Sequence, residues 1–412
     1  MDVLIERCAS LDVHKKTVVA CIRTPDSGGG KRRGNAVRTF QTTMTGLEAL
    51  REWLGGHGVT HAAMESTGVY WCPVHAVLEG RFTLLLVNAR HVKQVPGRKT
   101  NVRDSEWLAR LLECGLLRGS FVPLRGVRNL RDLTRLRKAL TGDRSRQVQR
   151  VAKILELANV KLGSVVTDIM GVTGRAIMEA MIRGEEDPHV LAGLARGSLV
   201  RKRAALAEAV PGLIRDHHRF LLRSHLDTID HLSSRIEEFN RRIEAVTGSF
   251  APALELLESI PGVKRRAAEA ILAETGDDMS KFPTAGHFAS WARVCPGNHE
   301  SAGKRRSAST GRGNAWLRAA LSQVAWAAVG TRGSYYRALY HRHKARGGPK
   351  KAIVVVQHAI LVAVWHMSSN GVMHEDLGPD HFRTRDAERQ KRHLLGRLRK
   401  LGVDVEVRAD AA

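Results

Sequence analysis

The first 120 residues alternate between strand-like and helix-like periodicity, and this alternation limits the fold more than any other feature of the chain. ASLDVHKKTVVACIR reads as two strands joined by a short turn, and GNAVRTFQTT as a third. THAAMEST and RFTLLLVNA supply two more, with the helical runs TGLEALREWL and YWCPVHAVLE among them. Strands interleaved with helices predict an α/β domain over residues 1–120, with a mostly parallel sheet covered on its faces. RKTNVRDSEWLARLL then opens another helix, in which Trp107, Leu108, Leu111 and Leu112 recur at apolar helical spacing.

Residues 121–247 change character to long, charged helical runs. Between Arg125 and Arg150 nine Arg and Lys residues stand against Asp132 and Asp143, leaving a local charge of +7. Leu130, Leu133, Leu136 and Leu140 line one face there, and arginines such as Arg128, Arg131 and Arg135 are candidate phosphate contacts. Ile229, Leu232, Ile236, Phe239, Ile243 and Val246 form an a/d seam that suits a coiled coil, within the chain or between two copies. Residues 248–370 read as a mainly α unit. In LLESIPGVKRRAAEAILAETG two helical runs flank Ile-Pro-Gly-Val, the form of a helix-hairpin-helix, where the turn at Gly262 offers backbone N–H groups to a phosphate. Pro-Gly between helices is also an ordinary turn. HESAGKRRSASTGRGN reads as a basic loop, and residues 371–412 as a charged tail.

The 412 residues carry 66 Lys and Arg against 41 Asp and Glu, a formal net charge of +25. Such an excess favours a polyanionic partner, because phosphate contacts release condensed counterions. Five cysteines form no CxxC pair, which fits reduced thiols in a cytoplasmic protein and argues against a zinc site. No run of uncharged apolar residues reaches the length of a membrane span, so none is expected.

Against this basic background a few acids stand out. Asp12 ends the first strand-like run, Glu65 ends the strand THAAMEST, and Asp104 opens a later helix. Acids at strand ends and a helix start can converge on one sheet edge. There they would repel unless a divalent cation such as Mg²⁺ neutralised them. The plain alternatives are a turn residue, a solvated strand end and a capping pair, since Asn101 followed by Asp104 resembles a capping box.

LDVHKK, MESTGVYW, RKTNVRDSEWLARLL, SIPGV and CPGNHESAGKRRSASTGRGNAWLRAAL together resemble the DEDD transposases of the insertion-sequence one-ten family. That group includes Piv-type DNA invertases and bridge-RNA-guided recombinases. The resemblance spans nearly the whole chain. It implies a RuvC-like, RNase H type N-terminal domain whose Asp, Glu, Asp, Asp quartet binds Mg²⁺. Carried over, the quartet falls on Asp12, Glu65, Asn101 and Asp104, and the third position departs from the pattern. An amide ligates through one oxygen without negative charge, so metal affinity falls. Either catalysis is impaired or Asn101 is an engineered isosteric change.

The resemblance also implies a serine nucleophile, which in PGNHESAGK is Ser301, within a C-terminal transposase domain. A hydroxyl that attacks a phosphodiester conserves the bond energy in a phosphoserine link, so strands can be rejoined without ATP. Lys304, Arg305, Arg306 and Arg312 follow, suited to neutralising phosphate charge. A linker role for the serine is the plain alternative. The family further implies a composite active site, assembly of dimers into a tetramer, and a structured noncoding bridge RNA that pairs with donor and target DNA. The expected protein is therefore a bacterial, nucleoid-associated recombinase. A metal-dependent nuclease that needs no Ser301, and a catalytically silent nucleic-acid-binding protein, are the competing classes.

Overall fold

The computed structural model describes residues 3–25, 33–66, 68–88, 103–296, 299–301, 303–307, 310–311 and 313–400. The expected quartet member Asn101 and the basic residue Arg312 lie outside them. For Asp104, Ser301, Arg305 and Arg306 the description is of the backbone alone. The chain divides into two units, residues 1–122 and 123–412.

The first unit is built from β1 (Cys8–Val13), β2 (Thr17–Pro25), β3 (Arg33–Gln41), α1 (Met44–Gly56), β4 (His61–Glu65), α2 (Trp71–Leu78), β5 (Thr83–Val87) and α3 (Arg103–Glu113). The five strands form one sheet in the order β3-β2-β1-β4-β5. It is mixed, not mostly parallel as the alternation suggests. β1, β2 and β3 pair antiparallel, whereas β1–β4 and β4–β5 are parallel. The reason is connection length: three residues between β1 and β2 allow only a reversal, while a parallel neighbour needs a crossover helix. Such a mixed five-stranded sheet is consistent with an RNase H-like domain.

Central strand β1 is covered on both faces. Ala9, Leu11 and Val13 pack with Leu47, Leu50 and Leu54 of α1 and Val74 and Leu78 of α2. Cys8 turns the other way, onto Leu108, Leu111 and Leu112 of α3. Burial pushes the thiols of Cys8 and Cys21 up to about 12 and about 11, so neither is a nucleophile at neutral pH.

The second unit is mostly helical. Its long helices are α4 (Arg125–Leu157) and α5 (Asp216–Thr247), with shorter helices between them. After these come α6 (Ala251–Glu258), α7 (Arg265–Thr275), α8 (Ala285–Trp291), β6 (His299–Ser301), β7 (Lys304–Ser307), α9 (Ala315–Gly330), α10 (Tyr335–Gly347), α11 (Pro349–Asn370) and α12 (His381–Lys400). α4 and α5 pack along each other, and Ile229, Ile236 and Ile243 of the apolar seam are buried. Arg144 Nε donates to Ser233 Oγ across this pair at 2.8 Å. α11 is long and apolar enough to cross a membrane by composition. Here it packs against α8, α9 and α10 and buries Val356, Ile360, Leu361 and Val364 among them.

The turn between α6 and α7 shows why position 262 is glycine. Gly262 has φ +87, and a Cβ built there would sit 2.5 Å from the backbone nitrogen of Ala328 in α9. The positive φ and the close helix contact together account for the residue. Gly262→Ala should therefore lower stability by about 2–3 kcal/mol through backbone strain and overpacking. Thermal unfolding followed by circular dichroism checks this, and an unchanged melting temperature would contradict it.

Candidate active site

The sheet register brings two of the quartet positions side by side. β1 and β4 run parallel, with Cys8 opposite His61 and Leu11 opposite Met64. One step further along that register stand Asp12 and Glu65. Adjacent strands lie about 4.8 Å apart, so the two carboxylate-bearing residues are neighbours at the same sheet edge. Alternation along the strands sets which face they take. Cys8 and Ser10 face α3, and so does Asp12; Ala63 and Val87 pack on that face too, and Glu65 shares it.

α3 runs along β1 in the opposite direction. Cys8 Sγ contacts the carbonyl of Ala109 at 3.6 Å, and Ser10 Oγ donates to the carbonyl of Ser105 at 2.5 Å. Two strand residues advance about 6.7 Å and four helix residues about 6 Å, so strand and helix keep step. One such step beyond Ser105 runs past the start of α3, so Asp104, in its first turn, lies at a level between those of Ser10 and Asp12. The far end of the helix is clamped too. Buried Glu113 accepts from Arg23 Nε at 2.9 Å and Arg33 Nε at 2.6 Å, while its carbonyl accepts from Leu4 N and Ile5 N. Thus α3 is held near both ends, with its N-terminus directed toward the end of the sheet that carries Asp12 and Glu65.

Asp12 is 42% exposed on its side chain, and His14 Nε2 lies 3.2 Å from its Oδ2. The histidine was not singled out by motif reasoning, although D-x-H at a strand end is a visible signal. A histidine bonded to a carboxylate orients its lone pairs. Glu106 points elsewhere, since its Oε1 accepts from Asn35 Nδ2 at 3.1 Å on β3. Among the described residues no three His, Cys, Asp or Glu side chains form a group that could hold a metal. Asp12, Glu65, Asn101 and Asp104 are nonetheless all oxygen donors, the class that Mg²⁺ prefers.

Ser301 sits in a two-stranded hairpin where composition suggests a loop. β6 and β7 pair antiparallel, Ser301 stands opposite Lys304, and Gly303 takes φ +74 in the turn between them. The serine is therefore at the hairpin tip with an exposed lysine as its cross-strand neighbour. Glu300 faces Arg305 across the ladder after a register shift at His299.

The expected phosphate contacts on α4 behave differently. Arg131 donates through Nε to the carbonyl of Ala273 and through a terminal nitrogen to that of Glu274, both at 2.9 Å. Arg135 makes a two-pronged pair with the Glu274 carboxylate at 2.7 and 2.8 Å. Glu274 is buried and also accepts from Asn314, the N-cap of α9. Burial lowers the pKa of Arg131, opposed by the carboxylate of Glu274 beside it. These two guanidinium groups hold α4, α7 and α9 together and are committed inside the unit. Arg128 donates to the carbonyl of Pro123 at 3.3 Å.

Comparison with known families completes the picture. A transposase model of the DEDD, IS110 type matches residues 9–160, and a model for the transposase IS116/IS110/IS902 family matches residues 254–341. The chain belongs to the IS110 family of transposases. No curated protein matches it. Family membership implies a DNA-processing enzyme with DNA as its substrate. The first match contains Asp12, Glu65, Asn101 and Asp104, and the second contains Gly262 and the hairpin with Ser301 and Lys304.

Proposed function

We propose that this transposase is an RNA-guided DNA recombinase that excises and inserts an insertion-sequence element through a phosphoserine intermediate. The observation that carries the reading is the side-by-side placement of Asp12 and Glu65 at the end of the sheet toward which the N-terminus of α3 is directed. The hairpin that pairs Ser301 with Lys304 supports it. In this reading residues 1–120 form the RuvC-like catalytic domain, 248–370 the transposase domain with its helix-hairpin-helix, and 371–412 a charged tail. Residues 121–247 supply the helices through which copies assemble into dimers and a tetramer. A bridge RNA selects donor and target by base pairing.

Ser301 attacks a backbone phosphorus, forming an Oγ–P bond as the P–O bond to a deoxyribose breaks; the serine proton is lost and the released sugar hydroxyl gains one. The reverse attack, by a hydroxyl from another strand, joins DNA and restores serine. Lys304, Arg305, Arg306 and Arg312 offset phosphate charge as the fifth P–O contact forms. Asp12, Glu65, Asn101 and Asp104 would hold Mg²⁺, which when bound supplies charge neutralisation at the scissile phosphate.

The test is to incubate the protein with donor and target DNA, matched RNA and Mg²⁺, then denature it. An adduct mapped by mass spectrometry to Ser301 is expected. Strand cleavage with no adduct would reassign the protein as a metal-dependent nuclease. Asn101 makes a second prediction. Asn101→Asp should tighten Mn²⁺ binding, read by electron paramagnetic resonance, about 10- to 100-fold, and raise recombination with it. Equal Mn²⁺ affinity in both forms would remove position 101 from the ligand set.

A further inference from the structure

The second unit contains a cavity of about 910 Å³ at the foot of the β6–β7 hairpin. Pro296 and Thr310, on its wall, are where the chain leaves for the hairpin and returns from it. Ser301 is five positions beyond Pro296, a reach of at most roughly 18 Å. The opposite wall is the α10–α11 junction, which contributes His343, Arg346, Lys350, Lys351 and His358. Among the described residues no acid lines the cavity, and Lys350 and Lys351 enter no ion pair. Asp386, which feels Arg346 electrostatically, is already held by Arg342.

The chemistry of the lining is divided. Cations stand at the helix junction, where the N-terminus of the 22-residue α11 adds positive potential. The remaining surface is apolar, from Val294, Pro296, Val354 and Val355. A patch that only tracked duplex phosphates would be convex or flat and would have no use for an apolar floor. The volume falls in the range of small-molecule pockets, about 300–1,000 Å³, and suits one extruded nucleotide. We propose that this cavity receives an unstacked nucleotide of the DNA strand that Ser301 cuts, with phosphates on Arg346, Lys350 and Lys351 and the base against Val354 and Val355. The assignment of the strand rests on the reading of Ser301 as nucleophile; the cavity and its divided lining do not. Half-burial of His358 favours its neutral imidazole, which offers one donor and one acceptor to a base edge.

Fluorescence anisotropy with the full-length chain and a labelled single-stranded DNA oligomer tests this. Lys350→Ala with Lys351→Ala, both exposed, should weaken binding about tenfold, with less than about threefold effect on a duplex of the same length. Val355→Arg should also weaken it although it adds positive charge, because it fills the floor. If Val355→Arg leaves binding unchanged or tightens it, or if the duplex is affected as strongly as the single strand, the nucleotide pocket is wrong. An RNA oligomer of the same sequence provides the other arm. Losses confined to RNA would overturn the assignment to the cut DNA strand. The two readings fail separately. Weakened binding by these variants with no Ser301 adduct in the parent protein would sink the nucleophile and leave the pocket. A Ser301 adduct with unchanged binding by the variants would do the reverse.

Discussion

Ser301→Ala is expected to abolish both the covalent DNA adduct and strand joining, a fall of about 10³-fold or more. The hairpin explains why the loss should be clean. Ser301 lies in backbone pairing with Lys304, and alanine removes one oxygen without disturbing the ladder or the Gly303 turn. Folding and DNA affinity should therefore stay within experimental error while chemistry disappears. Neighbouring Ser307, at the outer end of the same hairpin opposite His299, serves as control. Ser307→Ala should keep the adduct. The measurement is a denaturing gel with end-labelled substrate, read for both free cleaved strand and retarded adduct. Continued Mg²⁺-dependent cleavage by Ser301→Ala would defeat the recombinase mechanism.

Glu274→Ala should destabilise the second unit by about 3 kcal/mol. The carboxylate is 3% exposed on its side chain and faces Arg131 and Arg135, which are 18% and 34% exposed. Removing it leaves Arg131 with charge that burial already disfavours, although two backbone carbonyls still receive its hydrogens. Arg135 can turn toward water, which keeps the effect at the lower end of the range for broken buried pairs. Glu274→Gln retains acceptor capacity and should lose less. Melting curves of the two variants against the parent check the order, and equal melting temperatures for all three would refute the account. Since the same change frees two arginines, any gain in DNA binding by Glu274→Ala would arise from them and not from a native contact.

The residues differ in how readable they were. Strands such as TVVACIR declare themselves by apolar, partly β-branched runs, and each of the five expected in the first unit is present. Their directions were harder, because alternation of elements reports neighbours in sequence and not the sense of pairing; the short turn at residues 14–16 decided that. The hairpin around Ser301 was hidden because Gly, Ser and Arg are poor strand formers. Its backbone pairing defines it. Arg131 and Arg135 were misleading in a different way. A helix dense in arginine looks like a phosphate surface until the partner is known, and Glu274 lies some 140 residues away. Ser10 and Ser105 gave no signal at all, since a serine hydroxyl on a backbone carbonyl leaves no motif.

The matched advance of β1 and α3 also limits which changes the acidic end of the sheet can absorb. Helix and strand act as two rulers with nearly equal graduations, pinned at Ser10–Ser105 and again at Glu113. One residue added inside α3 would turn everything before it by about 100° relative to everything after. The two pins could not then both be kept, and Asp104 would change its direction relative to Asp12 and Glu65. A whole-turn slip would preserve the facing side but move the first turn about 5.4 Å along the strand. The spacing from Asp104 to Glu113 is therefore a fixed length of this machine, set by the sheet it lies on and by nothing in the helix itself.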